Sequence, residues 1–301
     1  MAERSVNTSQ LGSLGRPFIV AVITDRDVAT AAETMRQALS DGADAFEVNL
    51  PTLSGASPAS LAALLGAAPA PAYTSCRRRA FMTAYGLAEA EMPDWPDDER
   101  MERQLALVAA GSVAIDIELD TFDPRPAPPP GSAAAEAFAS SPGEPAEVTW
   151  SPTAIERQRE VAATARSLGA QALFSCHTGR PQAVDGLLRI ADAAVARGAD
   201  LLKIVTPCRD RADLLAVLSA TTRLAAELSI PFTLVGAGAA GGVTRIAGAA
   251  FGSAWLLGRP AGAAYGFAGQ PLVGDLRRVV RLLVPASSNA TPSGQPGSAP
   301  G

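Results

Sequence analysis

The sequence predicts an α/β fold, a (β/α)8 TIM barrel in a single domain, and three observations carry that expectation. Short β-rich runs alternate with amphipathic or Ala/Leu-rich helical stretches through most of the chain, a rhythm that builds parallel sheets. Eight such runs can be counted, and eight β/α units close into a barrel. The chain has 301 residues and a hydrophobic fraction of 48%, enough to fill one barrel of about 250 residues. An open doubly wound sheet is the rival architecture, but it normally uses fewer strands.

Strands are expected at Phe18–Thr24, Ala45–Leu50, Ala72–Cys76, Val113–Leu119, Ala172–His177, Leu201–Thr206, Phe232–Gly236 and Ser253–Leu257. Helical patterns lie between them at Val28–Ser40, Pro58–Gly66, Asp97–Ala110, Pro152–Leu168, Pro181–Arg197, Asp210–Leu228 and Gly242–Ala249, with a last one at Leu272–Leu283. Asp41-Gly42 and Leu168-Gly169 fit helix exits, and Pro152 and Pro181 fit first-turn positions. The barrel then occupies residues 17–284, with residues 1–16 a flexible N-terminus. A Pro/Ala-rich loop insertion at about 123–148 follows the fourth strand. The Ser/Pro/Gly/Ala-rich tail over 285–301 reads as disordered.

Composition narrows the class of partner. A net charge of −5 gives no basic footprint for nucleic acid. No apolar run reaches the roughly 18 residues that a membrane span needs. Met1 to Arg16 has no apolar h-region and does not read as a secretory signal. Three widely spaced cysteines, Cys76, Cys176 and Cys208, form no disulfide framework, so a reducing cytoplasm is the expected location. The oligomeric state is not fixed by the sequence; a homodimer is the assembly expected.

Lysine and arginine total 25, and Lys203 is the only lysine, so the other 24 are arginine. A GC-rich genome would explain the absences but not the exception. Arginine replaces lysine readily on a solvated face. It does not where a neutral amine must attack a carbonyl, because guanidinium stays protonated. Lys203 also sits inside the apolar run Leu201-Leu202-Lys203-Ile204-Val205, where an unpaired charge is costly.

Active residues of parallel barrels cluster at the C-terminal ends of the strands. The polar residues expected there are Glu47 and Asn49, Arg77, Asp116 and Glu118, His177, Lys203, and Arg245 beyond the glycine-rich Gly236–Gly242 stretch. A desolvated lysine is a nucleophile towards ketones and aldehydes. The resulting iminium acidifies the adjacent carbon, and a histidine can take that proton. Nearby arginines suit a substrate carboxylate or phosphate.

Structural readings compete with these roles. His177 alone would read as a core histidine. Glu47, Asp116 and Glu118 also read as internal neutralisers of basic residues, and for Asp116 and Glu118 that reading is preferred. Arg77-Arg78-Arg79 reads as a partly solvated run with one member directed inward. Gly236–Gly242 either cradles an anion or only makes a turn. Cys176 and His177, adjacent on one strand, point to opposite faces, so they do not share a metal site.

The order of motifs resembles type I 3-dehydroquinate dehydratase, a Schiff-base-forming family. Glu47-Val48-Asn49, Ser75-Cys76-Arg77, Asp116-Ile117-Glu118-Leu119 and Ser175-Cys176-His177 follow the family's motifs on strands two to five. Gly198-Ala199-Asp200-Leu201-Leu202-Lys203-Ile204 matches the lysine motif, and the segments Gly241 to Ser253 and Gly266 to Gln270 match the last two. The resemblance covers Phe18 to Val284 and implies a lyase converting 3-dehydroquinate, or a related cyclic keto-acid, to 3-dehydroshikimate without metal or cofactor. It implies that Lys203 forms the imine and His177 moves the protons. Arg245 and Gln270 would hold the substrate carboxylate, and Glu47 and Arg77 would contact ring hydroxyls.

The chain departs from the family pattern at four places. Asn49 stands where the family has arginine, Arg78 to Met82 replace an acidic segment, and Gly266 replaces a serine. The methionines after strand seven give way to small residues around Val235 and Ala237. Two alternatives stay open: a class I aldolase-like enzyme acting on a phosphorylated ketone held at Gly236–Gly242, and a catalytically inactive barrel serving as a binding or regulatory module.

Overall fold

The computed structural model of the chain describes residues 10–84, 91–125, 147–263, 266–267 and 269–283. Most of the expected insertion, the expected tail and residues 1–9 lie outside the described residues. Eight strands form one parallel sheet: β1 (Phe18–Ile23), β2 (Ala45–Asn49), β3 (Ala72–Ser75), β4 (Ser112–Glu118), β5 (Gln171–His177), β6 (Leu201–Pro207), β7 (Phe232–Ala237) and β8 (Trp255–Gly258). Their order runs β7-β6-β5-β4-β3-β2-β1-β8, so each strand lies beside its sequence neighbour and β8 pairs with β1. Between β7 and β8 the barrel is drawn together just before β8 begins. The Ala254 amide donates to the Phe232 carbonyl at 2.7 Å and the Thr233 hydroxyl to the Trp255 carbonyl at 2.9 Å.

The strands read as near-continuous apolar runs because both of their faces are covered. One face points into the barrel; the other is packed by a ring of helices. The helices among the described residues are α1 (Val28–Asp41), α2 (Pro58–Gly66), α3 (Arg79–Ala84), α4 (Asp97–Ala106), α5 (Pro152–Ser167), α6 (Val184–Ala196), α7 (Arg211–Glu227), α8 (Gly238–Gly241), α9 (Thr244–Ala247) and α10 (Val273–Leu283), and α3 turns Phe81 to the mouth of the barrel. Helical spacing explains which residues they bury: Ala31, Met35 and Ala38 on α1, and Leu187, Ile190, Ala191 and Ala194 on α6. Asp27, Ser57, Ser151 and Asp210 accept from first-turn amides and fix where α1, α2, α5 and α7 begin. Gly42 ends α1 with φ 106°, a conformation that costs glycine nothing.

Several expected boundaries are corrected. Pro152 does occupy the first turn of α5, but Pro181 does not start α6. The backbone stays extended through Ala183, which caps a helix beginning at Val184. The helix expected over Gly242–Ala249 is realised only as the short α9 and the start of a 3-10 turn at Gly248–Phe251, with the equally short α8 just before it, in keeping with glycine's low helix propensity. Helix α3 was not expected at all.

The N-terminal segment set apart over 1–16 also differs from expectation where it is described. Leu11 opens a short 3-10 turn and is 2% exposed. It packs with Phe18, Tyr73, Leu173, Leu201 and Trp255 into the apolar floor of the barrel, and the Gly12 amide donates to Gln171 Oε1 at 3.3 Å. The floor is apolar and the layer above it is ionic, and that gradient positions the site.

Candidate active site

Alternation along the strands decides which side chains enter the barrel. Glu47 and Asn49 on β2, Tyr73 and Ser75 on β3, Asp116 and Glu118 on β4, Ser175 and His177 on β5 and Lys203 on β6 share the inward phase. Parallel register then brings them level: Glu47 lies beside Tyr73, and Ser175 beside Lys203. His177 is beside Val205, two residues further along the inward face of β6 from Lys203.

Lys203 is 5% exposed. Its Nζ donates to Glu47 Oε2 at 3.0 Å and Oε1 at 3.2 Å, and lies 4.0 Å from Asp116 Oδ2. The Tyr73 hydroxyl donates to Glu47 Oε2 at 2.7 Å. Burial by itself would raise the Glu47 carboxyl, but the Lys203 and Arg77 cations and the Tyr73 bond hold it at about 2. Glu47 is therefore a carboxylate paired across the barrel with the amine.

Arg77 is committed to the wall. Its guanidinium pairs with Asp116, donates to Ser175 Oγ at 2.8 Å and lies 3.3 Å from Glu118 Oε1. Ser175 Oγ donates onward to Asp116 Oδ1 at 2.6 Å, and Arg100 takes the second oxygen of Glu118 at 2.7 Å. The reading of Asp116 and Glu118 as internal neutralisers agrees with this network. Within the arginine run only Arg77 is buried, as expected; Arg78 is half-buried and pairs with Asp97 at 2.8 Å and Asp120 at 2.6 Å. Asn49 turns its amide to Met82 Sδ at 3.8 Å.

His177 closes β5 at the mouth. Burial, reinforced by the Arg77, Lys203 and Arg245 cations, holds its imidazole well below the usual histidine range. A neutral imidazole is a base ready to accept a proton. Cys176, its neighbour, faces the opposite way and packs between sheet and helices.

Lys203, His177, Glu47, Arg77, Arg245 and Gln270 all line one cavity at the C-terminal mouth of the barrel. Phe81 from α3 and Phe267 from the loop after β8 supply apolar walls that the sequence did not announce. The advance signals were the departure of Arg78 to Met82 from the acidic pattern, for Phe81, and membership of the Gly266 to Gln270 segment, for Phe267. The glycine-rich stretch is explained by contact between backbones. A Cβ on Gly241 would come within 2.5 Å of the Gly236 carbonyl carbon, and one on Gly236 within 2.7 Å of Cys208 Sγ. The Gly236 amide is already spent on Thr244 Oγ1 at 2.8 Å.

The family signature of type I 3-dehydroquinase matches residues 19–285, the whole barrel. The chain belongs to the type I 3-dehydroquinase family. A curated 3-dehydroquinate dehydratase from Syntrophotalea carbinolica is 33% identical over 127 residues, 42% of this chain and 49% of that protein. The match therefore spans about half the length of that relative. The 3-dehydroquinate dehydratase from Geobacillus kaustophilus superposes with a TM-score of 0.68 at 20% identity, covering 89% of this chain and 91% of that one. The type I enzyme from Clostridium difficile, solved with covalently modified comenic acid, gives 0.68 at 18% identity, covering 90% and 93%. At such identities the superpositions establish the barrel. In this 3-dehydroquinase-family chain an apolar wall stands beside His177, and Arg77 is engaged by its own neighbours.

Proposed function

We propose that this protein dehydrates 3-dehydroquinate, or a closely related cyclic keto-acid, through an imine on Lys203. The observation that carries the reading is that the chain's only lysine and only histidine stand on adjacent strands and line one cavity. The Lys203 ammonium yields a proton to the neutral His177 imidazole, the freed amine attacks the ring ketone, and His177 returns that proton to the carbinolamine hydroxyl, which leaves as water to give an iminium. His177 removes a proton from the carbon next to it, leaving an enamine. The enamine expels the β-hydroxyl as His177 returns the proton, so the elements of water leave. Hydrolysis of the conjugated imine then frees the lysine.

Arg245 and Gln270 are assigned to the substrate carboxylate. Glu47 stabilises the cation that develops at the Lys203 nitrogen, which is a stronger reading than contact with a ring hydroxyl. Arg77 is assigned to holding the wall, since its guanidinium is bound by Asp116, Ser175 and Glu118. The aldolase reading depends on a phosphate at Gly236–Gly242, where close packing already accounts for Gly236 and Gly241. A cytoplasmic location is supported by three free, buried thiols. No helix among the described residues is long and apolar enough to cross a membrane.

Borohydride added during turnover should reduce the imine and leave the substrate's mass on Lys203, with dehydroshikimate absorbance appearing when it is omitted. Lys203→Ala and Lys203→Arg should abolish both signals. Wild-type protein that gives neither adduct nor absorbance rejects the reading.

A further inference from the structure

A histidine that takes a proton and returns it must keep one orientation through the cycle. That orientation is ordinarily set by a hydrogen bond to the ring nitrogen not engaged in the chemistry. In this barrel His177 Nδ1 is buried and has no hydrogen-bond partner among the described residues. What meets the ring is Phe81, with centroids 4.8 Å apart and planes at 67°, an edge-to-face arrangement that rings favour. Phe81 is itself fixed: the Arg77 guanidinium lies 5.8 Å from its centroid, Phe267 lies 6.3 Å away, and Met82 and Met92 pack with it.

We propose that Phe81 is the positioning residue of His177, holding the imidazole by a ring contact where a hydrogen-bonded partner would otherwise hold it. This rests on the imine-based dehydration above, in which His177 moves the protons. Among the described residues the charges that lower the imidazole are the cations Arg77 at the end of β3, Lys203 on β6 and Arg245 on α9. Glu118, on the neighbouring strand β4, is committed to Arg77 and Arg100. With an apolar ring against it and no anion paired with it among the described residues, His177 stays a neutral base through the weakly acidic range, consistent with its depressed titration. Removing the Phe81 ring would let the imidazole turn and let solvent reach Nδ1.

Because His177 is the chain's only histidine, its NMR signals identify themselves and report on the ring without substrate. In the wild-type protein they should carry a ring-current shift from Phe81 and titrate well below the ordinary 6.5 or so. In Phe81→Leu, and in Phe81→Met as a second filling of the same space, that shift should vanish and the titration should rise towards the ordinary value. Phe81→Tyr, which keeps the ring, should stay close to wild type. Alongside, kcat for dehydration should fall about 10- to 100-fold in the first two variants with KM little changed, as expected for a misplaced proton carrier. Histidine signals and titration unchanged in Phe81→Leu or Phe81→Met would overturn the proposal. So would a loss of activity that merely tracks the loss of folded protein with an unmoved pH profile. Borohydride trapping on the same wild-type sample reports separately on the dehydratase reading.

Discussion

Glu47 is a carboxylate with 2% of its surface exposed, in a setting where an unpaired charge costs several kcal/mol. Lys203 at 3.0 Å and Tyr73 at 2.7 Å are what allow it to stay ionised. Its folded titration near 2 lies below the ordinary 4.5, so the pair stabilises the fold above about pH 4.5 and that contribution is lost as pH falls towards 2. Lys203→Met should destabilise the protein at pH 7 by about 3–5 kcal/mol, because it strands a buried carboxylate. Adding Glu47→Gln should restore much of that loss. Urea unfolding of the single and double variants checks this, and a double variant no more stable than Lys203→Met would contradict it. At this scale Lys203 and His177 were legible as lone residues of their types. That Arg77 spends its donors on the wall was not, because the partners Asp116, Glu118 and Ser175 come from strands far along the chain.

Helices and strands are where local sequence speaks most clearly, and most strands fall within a residue or two of their expected bounds. The exceptions have particular causes. The stretch after β7 bends around its own backbone, so Gly236 and Gly241 come close together, and only short helical turns follow. Gly241→Ala would bring a methyl carbon to 2.5 Å from the Gly236 carbonyl carbon, and backbone there has no flexible end to yield. We expect a loss of about 3 kcal/mol, at the upper end of overpacking costs. The substitution should also raise KM, since α9 carries Arg245 into the cavity. Thermal or urea unfolding together with steady-state kinetics reads both effects; a variant as stable as wild type would show that the contact is not tight. Helix α3 escaped expectation because Arg77, Arg78 and Arg79 look solvated until Asp97, Asp116 and Asp120 are seen to receive two of them.

The whole barrel is closed in two ways that no local pattern reveals. At the β7–β8 seam the Ala254 and Thr233 hydrogen bonds complete the wall, and at the floor Leu11 fills the space inside the ring of Phe18, Tyr73, Leu173, Leu201 and Trp255. Leu11→Ala should therefore cost about 2–5 kcal/mol, as for other buried leucines, although the residue precedes the first strand. An unfolding midpoint unchanged from wild type would place Leu11 outside the core. The chain by itself determined the eight-unit rhythm, the polar residues that stand at the strand ends, and the lysine–histidine pair, because periodicity and residue type are local properties. Only the tertiary structure decided who neutralises Arg77, what meets the ring of His177, and what seals the floor. Those depend on which distant strands become neighbours, and in a closed barrel that is set by the register of the whole sheet.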